Sequence, residues 1–309
     1  MSLIVCDVAP RDGLQMEARA LPPARRAELV DRIAACGVPR IEAVSFVSPR
    51  WVPQMADAET VMALLQRPSK AVMAGLVLNE RGYVRALSAG VDEIHYAVPV
   101  TDSYARENQN TTVSAGLELS QTLVRRARAD GVRITVTLIV AFGCPFEGRV
   151  PESTVLRAAE RVMEEPPDEL CLADTIGVAV PTQVRSLVPA VGRLGARVGC
   201  HLHNTRNTGF ANALAAVEAG VVSIDASLGG IGGCPFAPRA TGNIGTEDLV
   251  YLLRGQGVAT GIDLEALIGT SQWLGEVLEH DLPAMVGRAG DFPAVSAAHA
   301  QSGGLEECV

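Results

Sequence analysis

Residues 169–203 read ELCLADTIGVAVPTQVRSLVPAVGRLGARVGCHLH. A short apolar run, Glu169–Ala173, comes first. A longer stretch, Pro181–Leu194, has the length and composition of a helix. A second short run, Arg197–His201, closes the segment. This is the signature of two parallel strands joined by a helical crossover. The pattern continues outward on both sides, with runs at Leu3–Val8, Arg40–Val44, Ala71–Leu78, Glu93–Val98, Arg133–Val140 and Val222–Ala226. Ala/Leu/Arg-rich segments lie between the runs, among them Pro22–Cys36, Asp57–Gln66, Gly116–Asp130, Ser153–Glu164 and Asn207–Ala219. Gly37, Gly90, Gly131 and Gly220 stand just before the next strand, where glycine stops a helix because it accepts left-handed backbone cheaply. Eight such units predict an α/β fold, a (β/α)8 TIM barrel. A doubly wound sheet would not need eight near-equal units, and Gly229–Gly233 lacks the G-x-G-x-x-G pattern after an early strand. A further helical segment is expected at Asp263–Leu278. Residues 1–285 are read as one barrel domain, and 286–309 as a loosely ordered C-terminal tail.

Composition narrows the class. The chain has 309 residues, 48% hydrophobic and 20% charged, enough to bury a large core and unlike a disordered chain. A net charge of −9 argues against general nucleic-acid binding, which needs a basic face. It leaves room for an anionic small molecule held by a few arginines. The seven cysteines are scattered and form no Cys-x-x-Cys, so neither a disulfide framework nor a structural zinc site is expected. The start has no basic n-region, and the longest apolar run, about Ile134 to Cys144, is too short to span a bilayer. A cytoplasmic, membrane-free protein is the expectation.

Chemistry in a barrel sits where strands end and the following loops begin. Polar residues recur there. Arg11 and Asp12 follow the first strand, Glu42 and Ser45 close the second, and Asp174 follows the sixth. His201 and His203 close the seventh, and the Gly229–Cys234 loop follows the eighth, with Asn243 beyond. A spacing of two on a strand puts both histidines on one face, where they can meet one ion or be core residues satisfied by hydrogen bonds. Asp12 is the natural third ligand, or an ordinary turn aspartate. Two imidazoles, a carboxylate and an amide oxygen suit Mg²⁺ or Mn²⁺, and the same set could hold Fe²⁺ or Zn²⁺. Arg11 reads as a salt-bridge partner of Glu42, as a cation aimed at developing negative charge, or as both. Cys234, between Gly233 and Pro235, reads as a proton-transfer residue or an inert core thiol.

Taken together, these segments resemble hydroxymethylglutaryl-CoA lyase over about residues 4–280. The resemblance is carried by Ala9–Gln15, Glu42–Met55, Gly143–Gly148, Asp174–Gly177, His201–His203, Gly229–Pro238 and Gly242–Val250. The long co-linear strings, such as Ser45–Met55, are its specific part. The wider superfamily includes isopropylmalate synthase-like condensing enzymes, 4-hydroxy-2-oxoacid aldolases and the carboxyltransferase domain of pyruvate carboxylase. The resemblance implies a metal-dependent retro-Claisen cleavage of a 3-hydroxyacyl-CoA, giving acetyl-CoA and acetoacetate from the reference substrate. It implies Asp12, His201, His203 and Asn243 as metal ligands, with Mg²⁺ or Mn²⁺ as the cofactor. Arg11 would face the thioester oxygen, Glu42 would orient Arg11, Asp174 would lie near the substrate hydroxyl, and Cys234 would move a proton. Gln15, Ser45 and Arg206 join Arg11 as expected substrate contacts. A homodimer and a place in leucine breakdown are further expectations from the resemblance.

Three departures stand out. The reference lyases carry Arg-Gly-Tyr-Val-Ser on strand five, where this chain has Thr135-Val136-Thr137-Leu138-Ile139. They carry Asp-Thr-Tyr-Gly-Gln after the metal histidines, where this chain has Asn204-Thr205-Arg206-Asn207-Thr208. A lysine expected after Glu17 is Ala18. A positive charge and a phenol are thus missing from the inner rim. Either the acyl group differs, with Arg206 replacing the lost charge or serving as a surface residue, or the changes are drift around the reference activity. A Claisen synthase or aldolase on the same barrel is the alternative enzyme class. A barrel that has lost catalysis is disfavoured, because no metal-ligand position and no Cys234 is lost.

Overall fold

The computed structural model describes residues 3–233 and 242–292. Eight parallel strands close into a barrel in sequence order: β1 (Ile4–Asp7), β2 (Arg40–Ser45), β3 (Val72–Val77), β4 (Glu93–Pro99), β5 (Arg133–Ile139), β6 (Glu169–Asp174), β7 (Val198–Leu202) and β8 (Ser223–Ala226). β8 pairs with β1, Ser223 opposite Ile4 and Ala226 opposite Asp7, so no edge is left open. The predicted barrel is therefore present, each strand within a few residues of its expected span.

The helices follow from amphipathic spacing and caps. In α6 (Glu152–Val162) the buried residues are Val155, Ala158, Ala159 and Val162, one stripe at helical spacing. Thr112 caps α5 (Val113–Asp130) by accepting from the Ala115 amide at 3.2 Å, and α5 ends at Gly131 with φ of +69°. Gly37, Gly90 and Gly220 have positive φ as well, as their place before a strand predicted. The remaining crossovers are α1 (Pro23–Ala35), α2 (Ala58–Leu64), α3 (Glu80–Ser88), α7 (Pro181–Gly192) and α8 (Gly209–Glu218). A second helix, α4 (Asp102–Gln109), precedes α5, and α9 (Thr246–Gly255) follows β8. The expected extra helix is α10 (Leu264–Leu278), capped by Asp263. A short α11 (Val286–Ala289) begins where the tail was expected. Its first amides are held by Asp248, at 3.1 Å from Met285 and 2.6 Å from Val286, and residues 293–309 lie outside the described part.

Barrel interiors are usually filled by branched apolar side chains in layers of four from alternate strands. This one is charged. Arg40 of β2 reaches Glu93 of β4 at 3.4 Å and Glu169 of β6 at 3.1 Å, and Glu169 is hydrogen-bonded by Ser223 of β8. These four side chains form one layer from the even strands. Two residues on, along β2 and β4, Glu42 and His95 form the next pair, with His95 Nδ1 3.0 Å from Glu42 Oε1. The polar interior points from the barrel floor to the strand ends where the site lies.

Candidate active site

β1 does not run straight into a loop. Residues Ala9–Gly13 form one wide π-type turn, in which the amides of Arg11, Asp12 and Gly13 all point at the Val8 carbonyl, at 3.2, 2.8 and 3.1 Å. Asp7 anchors its start by accepting from the Ala9 amide at 2.8 Å. Gly13 packs so closely on the loop after β8 that an added Cβ would lie 2.7 Å from Ile231 Cγ1 and 2.9 Å from Ser227 Oγ. That close approach is what the glycine of Arg-Asp-Gly permits. The turn brings Arg11 and Asp12 over the barrel mouth. Arg11 Nη1 meets Asp12 Oδ1 at 2.6 Å, and Arg11 Nε is bonded to Glu42.

β7 delivers the histidines. His201 and His203 turn their Nε2 atoms toward one another at 3.0 Å, and each Nε2 lies 3.9 Å from Asp12 Oδ2. Backbone pairing of His203 with Asn243 brings the amide alongside, and Asn243 Nδ2 donates to Asp12 Oδ2 at 2.8 Å and to the Ile231 carbonyl at 3.1 Å. The four residues expected to bind metal are thus one cluster, with the ligand atoms of Asp12, His201 and His203 all within 4.8 Å of each other. The donor set fits a divalent cation. Asn243 Oδ1 is buried without a hydrogen-bond partner. His201 Nδ1 faces Asp225 Oδ2 at 3.1 Å, which puts the ring proton on Nδ1 and leaves the Nε2 lone pair for a metal.

Electrostatics agree. Burial works to raise the Asp12 carboxyl, but Arg11 first and then the two histidines hold it down at about 2. Burial pushes His203 down to about 3, and its neighbour His201 adds to that, so its ring stays neutral. Burial opposes a charge on His201, yet the bond to Asp225 and the charge of Asp12 raise it overall. Glu42 is held below the usual carboxylate range against its burial, by Arg11 above all and then by His95.

The other expected residues fall as follows. Ser45 ends β2 buried, its Oγ without a partner. Gln15 is half-buried just beyond the π-type turn. Asp174 ends β6, but its two oxygens accept from the backbone amides of Val178 at 2.8 Å and Ala179 at 3.0 Å. Burial raises its carboxyl. Its visible work is to shape the loop after β6. Arg206 is exposed, and its Nη1 donates to the carbonyls of Ile176 and Gly177 at 3.0 and 2.9 Å, bracing that same loop. Cys234 lies outside the described residues.

Two residues of the site were missed in the sequence. Asp225, behind His201, and His95, behind Glu42, sit in the strands Ser223-Ile224-Asp225 and Glu93-Ile94-His95. The polar–apolar–polar alternation was the available signal, since in a barrel it marks the inward face.

The HMGL-like family model matches residues 2–274. The chain is similar to (R)-citramalyl-CoA lyase of Chloroflexus aurantiacus, 47% identical over 95% of this chain and 97% of that one. It is similar to the mitochondrial hydroxymethylglutaryl-CoA lyase of Gallus gallus, 35% identical over 92% and 96%. Among solved structures it resembles an HMG-CoA lyase from Acinetobacter baumannii in complex with coenzyme A and 3-methylmalate, at a TM-score of 0.91 and 37% identity over 95% and 97% of the two chains. With the barrel and the clustered aspartate and histidines in place, the conclusion is that this chain belongs to the HMGL-like family and is an acyl-CoA carbon–carbon lyase.

Proposed function

We propose that the chain cleaves a carboxylated 3-hydroxyacyl-CoA with a tertiary alcohol, releasing acetyl-CoA, and that its substrate is of the citramalyl-CoA type. The observation that carries the reaction class is the Asp12–His201–His203–Asn243 cluster with the Arg11 guanidinium directly beside it. In the reaction the substrate hydroxyl loses its proton to solvent and its oxygen becomes a carbonyl. The bond to the thioester methylene breaks, and the electron pair moves onto the thioester oxygen as an enolate. Protonation of the enolate carbon gives acetyl-CoA. Asp12, His201, His203 and Asn243 would hold Mg²⁺ or Mn²⁺, and a cation held there would make the tertiary hydroxyl acidic enough to ionise near neutral pH. Arg11 supplies a fixed cation for the enolate oxygen, where charge develops only as the bond breaks. Asp225 holds His201 in the metal-binding tautomer, and Asp174 holds the loop after β6. Cys234 is the proposed donor to the enolate carbon.

The inner wall at β5 favours one acyl group over the other. Thr135 Oγ1 donates to Glu93 at 2.6 Å, deep in the barrel, while Thr137 and Ile139 are the partly exposed residues of β5 at the mouth. That wall offers a hydroxyl and an apolar group but no cation. In citramalyl-CoA the carboxylate is attached to the carbinol carbon, beside the hydroxyl. In hydroxymethylglutaryl-CoA it stands one methylene further out and needs a partner further from the hydroxyl. The wall suits the shorter acid, and the Chloroflexus relative supports the same choice. Hydroxymethylglutaryl-CoA is the second reading, supported by the Gallus relative. Assaying both thioesters with Mn²⁺ and identifying the co-product, pyruvate or acetoacetate, separates them. One methylene is worth about 10–200-fold in kcat/KM. Citramalyl-CoA is expected to lead by that order, and a lead for hydroxymethylglutaryl-CoA would overturn the assignment.

A further inference from the structure

The positive charge missing from strand five has a counterpart one strand away. His95 on β4 is paired in register with Thr135 on β5. Its ring lies between two buried carboxylates, with Nδ1 3.0 Å from Glu42 Oε1 and Nε2 3.6 Å from Glu93 Oε1. The other oxygen of Glu42 takes Arg11 Nε. Beyond Glu93, the Arg40 ion pairs continue to Glu169. Arg11, Glu42, His95, Glu93, Arg40 and Glu169 therefore form a chain of alternating sign from the mouth of the barrel to its floor. Every member but Arg11 is at most 5% exposed.

A neutral imidazole has one donor and one acceptor. Donating to Glu42 through Nδ1, it would turn the Nε2 lone pair toward the Glu93 carboxylate. A ring protonated on both nitrogens removes that repulsion and neutralises a charge between two acids. Burial disfavours this charge, but the bond to Glu42 and the nearby Glu93 carboxylate raise the ring to about 10. We propose that His95 is a positioning residue for the lyase reaction: its Nδ1–H fixes Glu42, and Glu42 in turn fixes the Arg11 guanidinium at the mouth. The role rests on the reading of Arg11 as the cation that faces the enolate oxygen. His95 itself touches none of the expected metal ligands among the contacts seen.

The test uses His95→Ala and the pair His95→Ala with Thr135→Arg, which puts a guanidinium one strand over. With the thioester that the unaltered protein cleaves, His95→Ala is expected to lower kcat by about 100-fold, the scale of a displaced reacting group. KM should stay within about threefold, since binding of the substrate ground state is untouched. Mn²⁺ affinity should not change. Adding Thr135→Arg should recover at least about tenfold of kcat, and in an Arg11→Ala background His95→Ala should have little further effect. A folded His95→Ala protein with unchanged kcat would overturn the proposal. Loss of Mn²⁺ binding in step with kcat would also overturn it, by assigning the ring to the metal site instead. Should His95→Ala fail to fold, His95→Leu, which fills the space and has no donor for Glu42, takes its place in every arm. A readout free of any substrate keeps this result separate from the assigned reaction: the Arg11 Nε–H resonance in ¹⁵N spectra. It should be protected from solvent exchange in the unaltered protein and lose that protection in His95→Ala, and equal protection in both would refute the link.

Discussion

Asp225 decides which nitrogen of His201 carries the proton. Its carboxylate holds Nδ1 at 3.1 Å, and Nε2 is left facing His203 and Asp12. Carboxylates in this position raise the basicity of a ligating imidazole, and their loss lowers metal affinity by about 10–100-fold. Asp225→Asn is therefore expected to weaken Mn²⁺ binding on that scale, by isothermal titration calorimetry, while thermal unfolding of the metal-free protein changes little. Direct removal of a ligand, as in Asp12→Ala, should abolish Mn²⁺ binding in the same experiment. At this scale residue type and strand position together foretold that Asp12, His201 and His203 meet as a possible metal site with Asn243 bonded to Asp12. The π-type turn of Ala9–Gly13 was not legible in the sequence, because that turn depends on contacts with Asp7, Ser227 and Ile231, far apart along the chain. Asp174 and Arg206 show the converse. Their residue types suggested substrate contact, but each makes its visible bonds to loop backbone, a use that type and position do not distinguish.

Alternating strands explain the barrel interior and make it vulnerable. Arg40 bridges Glu93 and Glu169, and His95 first and then Arg40 pull the Glu93 carboxyl down to about 2 despite its burial. Replacing Arg40 with Met leaves Glu169 without its cation, while Glu93 keeps His95 and Arg133, and breaking a buried pair this way costs about 3–5 kcal/mol. Urea unfolding of Arg40→Met should show a loss of that order. A second clamp sits where β8 passes into its glycine-rich loop. Asp7 accepts from the Leu228 amide at 3.0 Å and from Thr246 Oγ1 at 2.6 Å, and both oxygens of Glu247 face the Gly229 amide at 3.0–3.2 Å. Burial raises both carboxyls to about 7. Each folded-state value lies above the unfolded one, so the folded protein binds more protons. Their contribution to stability is complete below about pH 4 and is lost as the pH rises through 7. Asp12 and Glu93, held at about 2, titrate below that window. Glu247→Gln should therefore lose less stability than the unaltered protein between pH 4.5 and 8, read as the urea midpoint at each pH. Strand positions were legible from β-branched runs bounded by glycine. The end of β5 was not, because Val140, read as strand, adopts a left-handed φ of +55° with its amide on Thr175 Oγ1. Nothing in a valine announces that conformation.

Closure of eight strands brings the loop after β1 against those after β7 and β8, and this is why residues some 230 positions apart share one site, as Asn243 and Asp12 do. The barrel was readable from its eightfold alternation. The wall facing the acyl group was readable only as a difference, Thr135 and Thr137 where a cation and a phenol were expected, and its consequence needed the fold. Once β4 and β5 are in register, His95 stands beside Thr135 in the interior, and β5 itself brings no cation to the mouth. Among the described residues no helix is long and apolar enough to cross a membrane. On the proposed function, the Asp12–His201–His203–Asn243 cluster and Arg11 together perform a metal-dependent carbon–carbon cleavage. Its most direct test is acetyl-CoA release by chelator-stripped protein from citramalyl-CoA and hydroxymethylglutaryl-CoA, before and after Mn²⁺ is restored. Release should be absent without metal, recover on adding Mn²⁺, and stay absent in Asp12→Ala. Equal release with and without metal, or no release from either thioester by fully metal-loaded protein, would contradict the proposed function.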